Sequence, residues 1–439
     1  MDSDVVVIGG GYTGMWTAWH LLEAGARVAL LEAGVCGHGP SGRNGGFCES
    51  MWLSARAVRR RFGDGPARAL LDASSEAVTA IGEWCRSEDV DAWFDRSGYL
   101  CISTAPAFDG VGVEAVSAAA ALGAPERVVD LTAEEVRRRC ASRVFRGGVF
   151  IPDFATLQPA RLALGLRRRL VERGALLFER SRVRALRAEG PRGVVAETAG
   201  GNVRAGAAVL AVGPAVRALR ELRSRLTVTS SHIVVTEPVP DVLAELGWTG
   251  GECITDGRTL VHYFRATRDE RIVFGWGGGR LAFGTRVMGP VEVDAGVAAE
   301  VRRHALRIFP GLAGRRITHA WGGPIDVSPS HIPQIGTLPG APVHFGFGYT
   351  GNGVGPSHLA GQTLASLALD RRDELTRLPI VDSDAGAWVP PEPWTWLGGS
   401  LVRAALVRRE RLLEAGARPD ALTRAISGAP RALGMHLGR

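Results

Sequence analysis

The 439-residue sequence predicts an α/β fold in which a parallel-sheet domain, assembled from separated segments, is interleaved with a mostly antiparallel-sheet (α+β) domain and followed by a C-terminal helical extension. Three observations carry this expectation. An apolar run at the N terminus passes through a glycine-rich turn into a helical pattern. Two later apolar runs, at 207–212 and 343–347, also end in glycine. Between them, from residue 226, apolar and polar residues alternate with period two.

Asp4–Ile8 is continuously apolar after its first residue, as a strand buried on both faces requires. The glycines of Gly9–Gly14 follow. Met15, Ala18, Leu21 and Leu22 then recur at helical spacing until Gly25, and Arg27–Glu32 reads as a second strand. This is a complete βαβ unit of the Rossmann-like kind. A glycine-rich loop, Gly37–Gly46, leads to a helix predicted over 66–88 and a strand at Gly98–Ile102. Helices are expected at 109–122, 132–140 and Pro159–Gly174. Val183–Leu186 and Gly193–Thr198 read as a hairpin, and Ala207–Gly213 as another buried strand. Ser231–Thr236, Thr259–Arg265 and Arg271–Trp276 carry the period-two pattern. A helix at 294–308, the strand Val343–Phe347, a second glycine turn at Gly348–Gly355 and a helix at 356–369 complete the body. The expected division is 1–90, 145–225 and 335–375 for the nucleotide domain, 91–144 and 226–334 for the substrate domain, and 376–439 for the extension.

Composition narrows the function. The chain is 46% hydrophobic and 22% charged, with a formal net charge of +7 carried entirely by arginine, since it contains no lysine. The arginines cluster inside helical patterns, as at Arg59–Arg61 and Arg167–Arg169, which suits solvated helix faces and argues against a nucleic-acid partner. The six cysteines show no CxxC spacing, so no metal site is expected. No signal peptide fits ahead of the first strand, and no apolar run approaches a membrane span of about 18 residues. A cytoplasmic location is expected. The basic amphipathic helix near 400–415 is expected to pack on its own body or on a neighbouring subunit, with no membrane contact, and the oligomeric state stays open.

Each glycine of the first turn has a physical task. Gly9 permits the tight turn, Gly11 lets the backbone approach a pyrophosphate, and Gly14 lets the helix pack close to the strand. Glu32, followed by Ala33, ends the second strand, where a carboxylate can accept ribose hydroxyls. The dinucleotide is FAD or NAD. Its position at the extreme N terminus and the second cluster, Gly37-His38-Gly39-Pro40-Ser41-Gly42-Arg43-Asn44-Gly45-Gly46-Phe47, favour FAD.

At these residues the sequence resembles the D-amino-acid-oxidase-like flavoprotein superfamily, and the Ser41–Gly46 run is most similar to the gamma-glutamylputrescine oxidase type. The resemblance extends to His232–Pro238, to Tyr263–Arg265 with Asp269, Arg271 and Phe274-Gly275, to Trp321–Asp326 with Pro333 and Ile335-Gly336, and to Gly348–Val354. It implies non-covalent FAD held by Gly9, Gly11, Tyr12, Thr13, Gly14, Glu32, Ala33, Ser41, Gly42, Arg43, Asn44, Gly45, Gly46, Val183, Ala211, Gly213, Pro324, Gly348, Gly351, Asn352, Gly353 and Val354. The last loop would hold the pyrimidine edge of the flavin, whose negative charge in the reduced state amide donors and a helix end stabilise.

This chain departs from the pattern in several places. Asn352 stands where the type often has histidine, and an amide does not titrate. Phe47-Cys48-Glu49-Ser50 lacks the arginine that grips a substrate carboxylate in sarcosine-oxidase-like members. With no lysine, the chain cannot use the lysine that promotes reaction with oxygen in some relatives. The linking cysteine is missing near Gly322, and Arg43 replaces a linking histidine. Tyr263, Trp321 and Asn352 are therefore expected at the reacting centre, with Phe47, Glu49, His232 and Arg265 around the substrate. Of His262 and Tyr263, adjacent on one strand, only one can face a cavity, and Tyr263 is the expected one. Aromatic faces suit a cationic amine.

The expected reaction is oxidation of a primary or secondary amine by hydride transfer to flavin N5. The imine hydrolyses to a carbonyl product, and molecular oxygen is the expected acceptor, giving hydrogen peroxide. The alternatives are a dehydrogenase that uses a quinone or carrier, a biosynthetic oxidase of a natural-product amine, and a flavin-binding partner without turnover.

Overall fold

The computed structural model describes residues 1–190, 193–284, 286, 289–384 and 387–436; the last three residues of the expected extension, 437–439, lie outside it. In the first sheet the strands lie in the order Gln334–Thr337, Val343–Phe347, Asn202–Leu210, Asp2–Ile8, Val28–Leu31 and Leu176–Phe178. All neighbours from Val343–Phe347 to Leu176–Phe178 are parallel, and Gln334–Thr337 pairs antiparallel at the edge. Val5–Ile8 and Val28–Leu31 are buried, which is why they read as unbroken apolar runs. Asp2–Ile8 and Val343–Phe347 flank Asn202–Leu210 in parallel, so the two glycine turns that follow them open at the same edge of the sheet.

The helices after those turns, Tyr12–Glu23 and Val354–Ala368, pack on each other. Gly361 makes the crossing close: a Cβ there would stand 2.5 Å from the Cβ of Trp16. The hairpin Ala185–Ala188/Val194–Glu197 extends antiparallel from Asn202–Leu210, matching its sequence pattern.

The second sheet runs Ile317–Val327, Thr227–Thr236, Ile272–Trp276, His262–Ala266, Cys253–Asp256, Tyr99–Ile102, Gly148–Ile151 and Val129–Leu131. Every pair is antiparallel except Cys253–Asp256 with Tyr99–Ile102. One face packs Phe264 and Phe274, stacked at 5.2 Å, against Phe309 and the helix Ala295–Ile308. Gly148–Ile151 belongs to this sheet, four residues beyond the boundary expected at 144, because its pairing partners are Tyr99–Ile102 and Val129–Leu131.

The extension holds two helices, Trp394–Glu414 and Ala421–Ala432. The first begins six residues earlier than its basic pattern predicts. Among the described residues no helix is long and apolar enough to cross a membrane.

Candidate active site

A cavity of about 1490 Å³ runs from the carboxyl ends of the parallel strands to one face of the second sheet. Its nucleotide end is made by the first glycine turn. Gly9 has φ of +110°, and a Cβ there would meet the Ala211 carbonyl oxygen at 2.3 Å. A Cβ on Gly14 would stand 1.9 Å from the Gly9 carbonyl oxygen, so only glycine lets this helix leave its strand. Gly11 differs: its Cβ would find one neighbour within 4 Å, Ser41 Oγ at 3.1 Å, and the rest of that space is cavity. Gly14 shapes the backbone without lining the cavity, and the same holds for Gly42, Gly46 and Gly348. A Cβ on Gly42 would meet the Gly37 carbonyl oxygen at 2.3 Å, and one on Gly46 the Leu157 carbonyl oxygen at 2.2 Å.

These residues fit a dinucleotide. The helices Tyr12–Glu23 and Val354–Ala368 both begin after glycine, at Gly11 and Gly353, with no side-chain cap. Their first turns line the cavity through Tyr12, Thr13, Val354 and Ser357, so two positive helix ends face it. Glu32 Oε2 accepts from the Gly10 amide at 2.7 Å and Oε1 from the Gly34 amide at 2.6 Å, which holds the carboxylate at the cavity edge. The Tyr12 amide donates to Ser41 Oγ (2.9 Å), tying the first turn to the second cluster. The Tyr12 ring itself is buried and donates to the Pro159 carbonyl. Ala33, Arg43, Asn44, Gly45, Val183, Ala211, Gly213, Pro324, Gly351, Asn352 and Gly353 also line the cavity. Asn44 braces its own loop, accepting from the Gly46 amide at 2.8 Å and donating to the Ser41 carbonyl at 2.8 Å.

Asp326, at the end of the Trp321–Asp326 motif, organises the last loop. Its Oδ2 accepts from the Gly348 amide at 2.6 Å and its carbonyl from the Thr350 amide at 3.0 Å. Burial pushes this carboxyl up to about 6 against the opposing amide donors. Tyr349, beside Asn352, shares a hydrogen bond of 2.8 Å with Thr13 Oγ1 and joins the two helix starts.

At the sheet end, Tyr263 and Phe47 form an aromatic corner with ring centroids 5.9 Å apart at 87°. Gly45 and Gly275 clear the space for the Tyr263 ring; added Cβ atoms would reach it at 2.9 and 2.1 Å. The phenol meets Ser231 Oγ at 2.6 Å, and Ser231 donates to the Trp276 carbonyl at 2.9 Å, so Tyr263 donates to Ser231. His262, the neighbour of Tyr263, points to the opposite face and meets Asp256 Oδ2 at 2.6 Å.

Four residues expected at the substrate or the reacting centre sit outside the cavity. His232 is 1% exposed on the far face of its strand, because Ser231 and Ile233 take the cavity face. Arg265 shares a strand face with Tyr263, but it lies beneath the Gly45–Gly46 turn and donates through Nε to the Gly45 carbonyl at 2.6 Å. Burial pulls its guanidinium down to about 10. The Glu49 side chain is buried outside the cavity, and its carbonyl would stand 2.1 Å from a Cβ on Gly355. Trp321 donates through Nε1 to the Arg43 carbonyl at 2.7 Å and braces that loop from outside. No sequence signal marked these directions, since each depends on which layer covers the strand.

The thiols near the turn are buried. Burial raises Cys48 well above the ordinary thiol range and, with the Glu179 carboxylate nearby, pushes Cys36 up to about 12, so neither supplies a thiolate nucleophile. Glu179 accepts from the Cys36 amide at 2.9 Å and pairs with Arg167 at 2.7 and 2.8 Å, which holds its carboxyl down at about 2. A lowered carboxyl contributes stability that is present above its unfolded value, about 4.5, and is lost as pH falls through about 2. Because Arg167 is partly exposed, the contribution is discounted to about 1 kcal/mol. Glu179→Gln should therefore flatten the acid limb of a stability–pH curve, read by thermal unfolding. An unchanged limb would show that the pair contributes nothing.

Fold and cavity together define the class of a dinucleotide-binding protein whose cavity reaches from a parallel sheet to a second, aromatic-lined sheet. The family model for FAD dependent oxidoreductases (DAO) matches residues 4–367. The chain is 30% identical over 384 residues to the gamma-glutamylputrescine oxidoreductase of Escherichia coli (strain K12), covering 86% of each protein. It is 29% identical over 416 residues to the probable oxidoreductase OrdL of Rhizobium meliloti (strain 1021), covering 92% of this chain and 90% of that one. The crystal structure of glycine oxidase from Geobacillus kaustophilus superposes with a TM-score of 0.71 at 21% identity, covering 87% of this chain and 99% of that one. The chain belongs to the DAO family of FAD-dependent oxidoreductases, enzymes acting on C–N bonds.

Proposed function

We propose that the protein oxidises a primary or secondary amine at the carbon bearing nitrogen. The imine is then hydrolysed to a carbonyl compound and a smaller amine, and oxygen takes the electrons as hydrogen peroxide. Bound FAD supplies the hydride acceptor. The observation that carries this reading is the Tyr263–Phe47 corner at the sheet end of a cavity that two helix N-termini beginning after glycine also line. The aromatic faces attract an ammonium group, and their apolar surroundings favour its neutral form, the form able to release hydride. Asp326 and the Gly348–Val354 loop hold amides and a helix start where negative charge develops. Arg43, anchored to Glu292 at 2.9 Å, adds a fixed cation to the same lining. Asn352 hydrogen-bonds without titrating. This division of labour assigns Tyr263 and Phe47 to the substrate and the glycine loops to the cofactor.

Anaerobic mixing with an amine series is the test. Loss of the flavin absorption band is the expected result, with full recovery on admitting air. Bleaching without recovery would transfer the electrons to a quinone or carrier protein. A band that stays intact with every amine would remove the amine reading.

A further inference from the structure

The cavity has a wall that the family match does not include. Gly399, Val402, Arg403 and Leu406 line it from the helix Trp394–Glu414, beyond the matched residues 4–367. They face the loop Thr259–Val261 together with Gly277, Gly279 and Leu281.

This helix is bolted to the sheet domain along its length. The Leu260 amide donates to Glu410 Oε1 at 3.0 Å, and Glu410 is 2% exposed. Arg403 donates to the Gly278 carbonyl through Nη2 (2.6 Å) and Nε (2.9 Å), and its guanidinium lies 5.9 Å from the Trp276 ring centre. Arg411 meets Glu300 at 2.6 Å, and Glu414 pairs with Arg258 and Arg307. Gly399 allows Leu281 to reach the helix backbone; a Cβ there would stand 2.2 Å from Leu281 Cδ2. These contacts make a fixed wall, with its polar groups spent on anchoring and Val402 and Leu406 turned to the cavity.

We propose that Val402 and Leu406, with Leu260, Val261 and Leu281, form a specificity pocket that receives an extended apolar arm of the substrate. The proposal deepens the amine reading and rests on it for the identity of the reacting group. A pocket of this lining discriminates by chain length: each methylene that enters it tightens binding about fourfold. The class of substrate is an amine whose nitrogen lies at the Tyr263–Phe47 corner and whose alkyl or aryl arm reaches the C-terminal helix.

Two probe series test it on the FAD-loaded protein. The first is n-alkylamines from propyl to octyl, followed by kcat/KM. The second is n-alkanols of the same lengths, which bind without being oxidised, followed by perturbation of the flavin spectrum. Wild type should show the stepwise gain in both series. Val402→Trp should abolish the gain for the long members and leave propylamine turnover within about twofold. Val402→Thr, close to isosteric, should keep the fold and reduce the gain per methylene. Thermal unfolding and flavin content identify a variant that fails to fold, and Val402→Thr then decides alone. A chain-length gain with alkanols but no bleaching by any amine would keep the pocket and remove the amine reading. Amine turnover with the same length dependence in wild type and both variants would overturn the pocket.

Discussion

Gly11→Ala should give folded protein that has lost FAD affinity by about tenfold to 100-fold, the cost of forcing a methyl group into a filled site. The protein itself tolerates the methyl, because its nearest neighbour would be Ser41 Oγ at 3.1 Å, and a hydroxyl can give by a few tenths of an ångström. The methyl would otherwise stand in the cavity beside the start of Tyr12–Glu23, where a pyrophosphate must approach the helix end. Gly14→Ala provides the contrast. Its methyl would meet the Gly9 carbonyl oxygen at 1.9 Å, so folding fails before binding does. Refilling apoprotein with FAD, followed by flavin absorbance, separates the two. A Gly11→Ala protein that purifies with full flavin content would show that the turn does not touch the pyrophosphate.

The second large effect is on turnover. Tyr263→Ala should lower kcat/KM for the amine by about 30-fold, the equivalent of about 2 kcal/mol from a desolvated cation–aromatic contact. FAD should stay bound, because the Gly9–Gly14 turn and the helix start after it, which would hold the pyrophosphate, keep their own contacts without the Tyr263 ring. The ring also packs on Gly45, so Tyr263→Phe is the needed companion. It keeps the aromatic face and the packing and removes only the hydrogen bond to Ser231. Near-normal kinetics in Tyr263→Phe with a large loss in Tyr263→Ala would assign the effect to the ring. Equal losses would assign it to the phenol, and unchanged kinetics in Tyr263→Ala would take the residue out of the pocket.

Much of this molecule was legible in one dimension because the rules involved are local. A turn that crosses its own carbonyl, at 1.9 Å for Gly14 and 2.3 Å for Gly42, needs glycine whatever surrounds it, and Gly9 is marked by its positive φ. Strand alternation separates Tyr263 from His262 without further information. Burial on both faces produces the unbroken apolar runs of the parallel sheet. From these the sequence determined the two-sheet architecture, the glycine turns at one end of the cavity and the Tyr263 side of the other.

Tertiary packing decided the rest. Alternation says that Ser231 and His232 face opposite ways; only the layer above the strand says which way is the cavity. Arg265 has the parity of Tyr263 and still lies outside, because the Gly45–Gly46 turn covers it. Glu49 and Trp321 stand close to flavin-loop residues in sequence or space, yet the Glu49 side chain is buried outside the cavity and Trp321 braces the Arg43 carbonyl. The wall made by Val402 and Leu406 is the most remote case. It depends on Glu410 meeting the amide of Leu260, 150 residues earlier in the chain, and no local pattern carries such a pairing. Local stereochemistry determined the glycine turns at one end of the cavity, whereas long-range docking of one helix decided the shape of the space at the other.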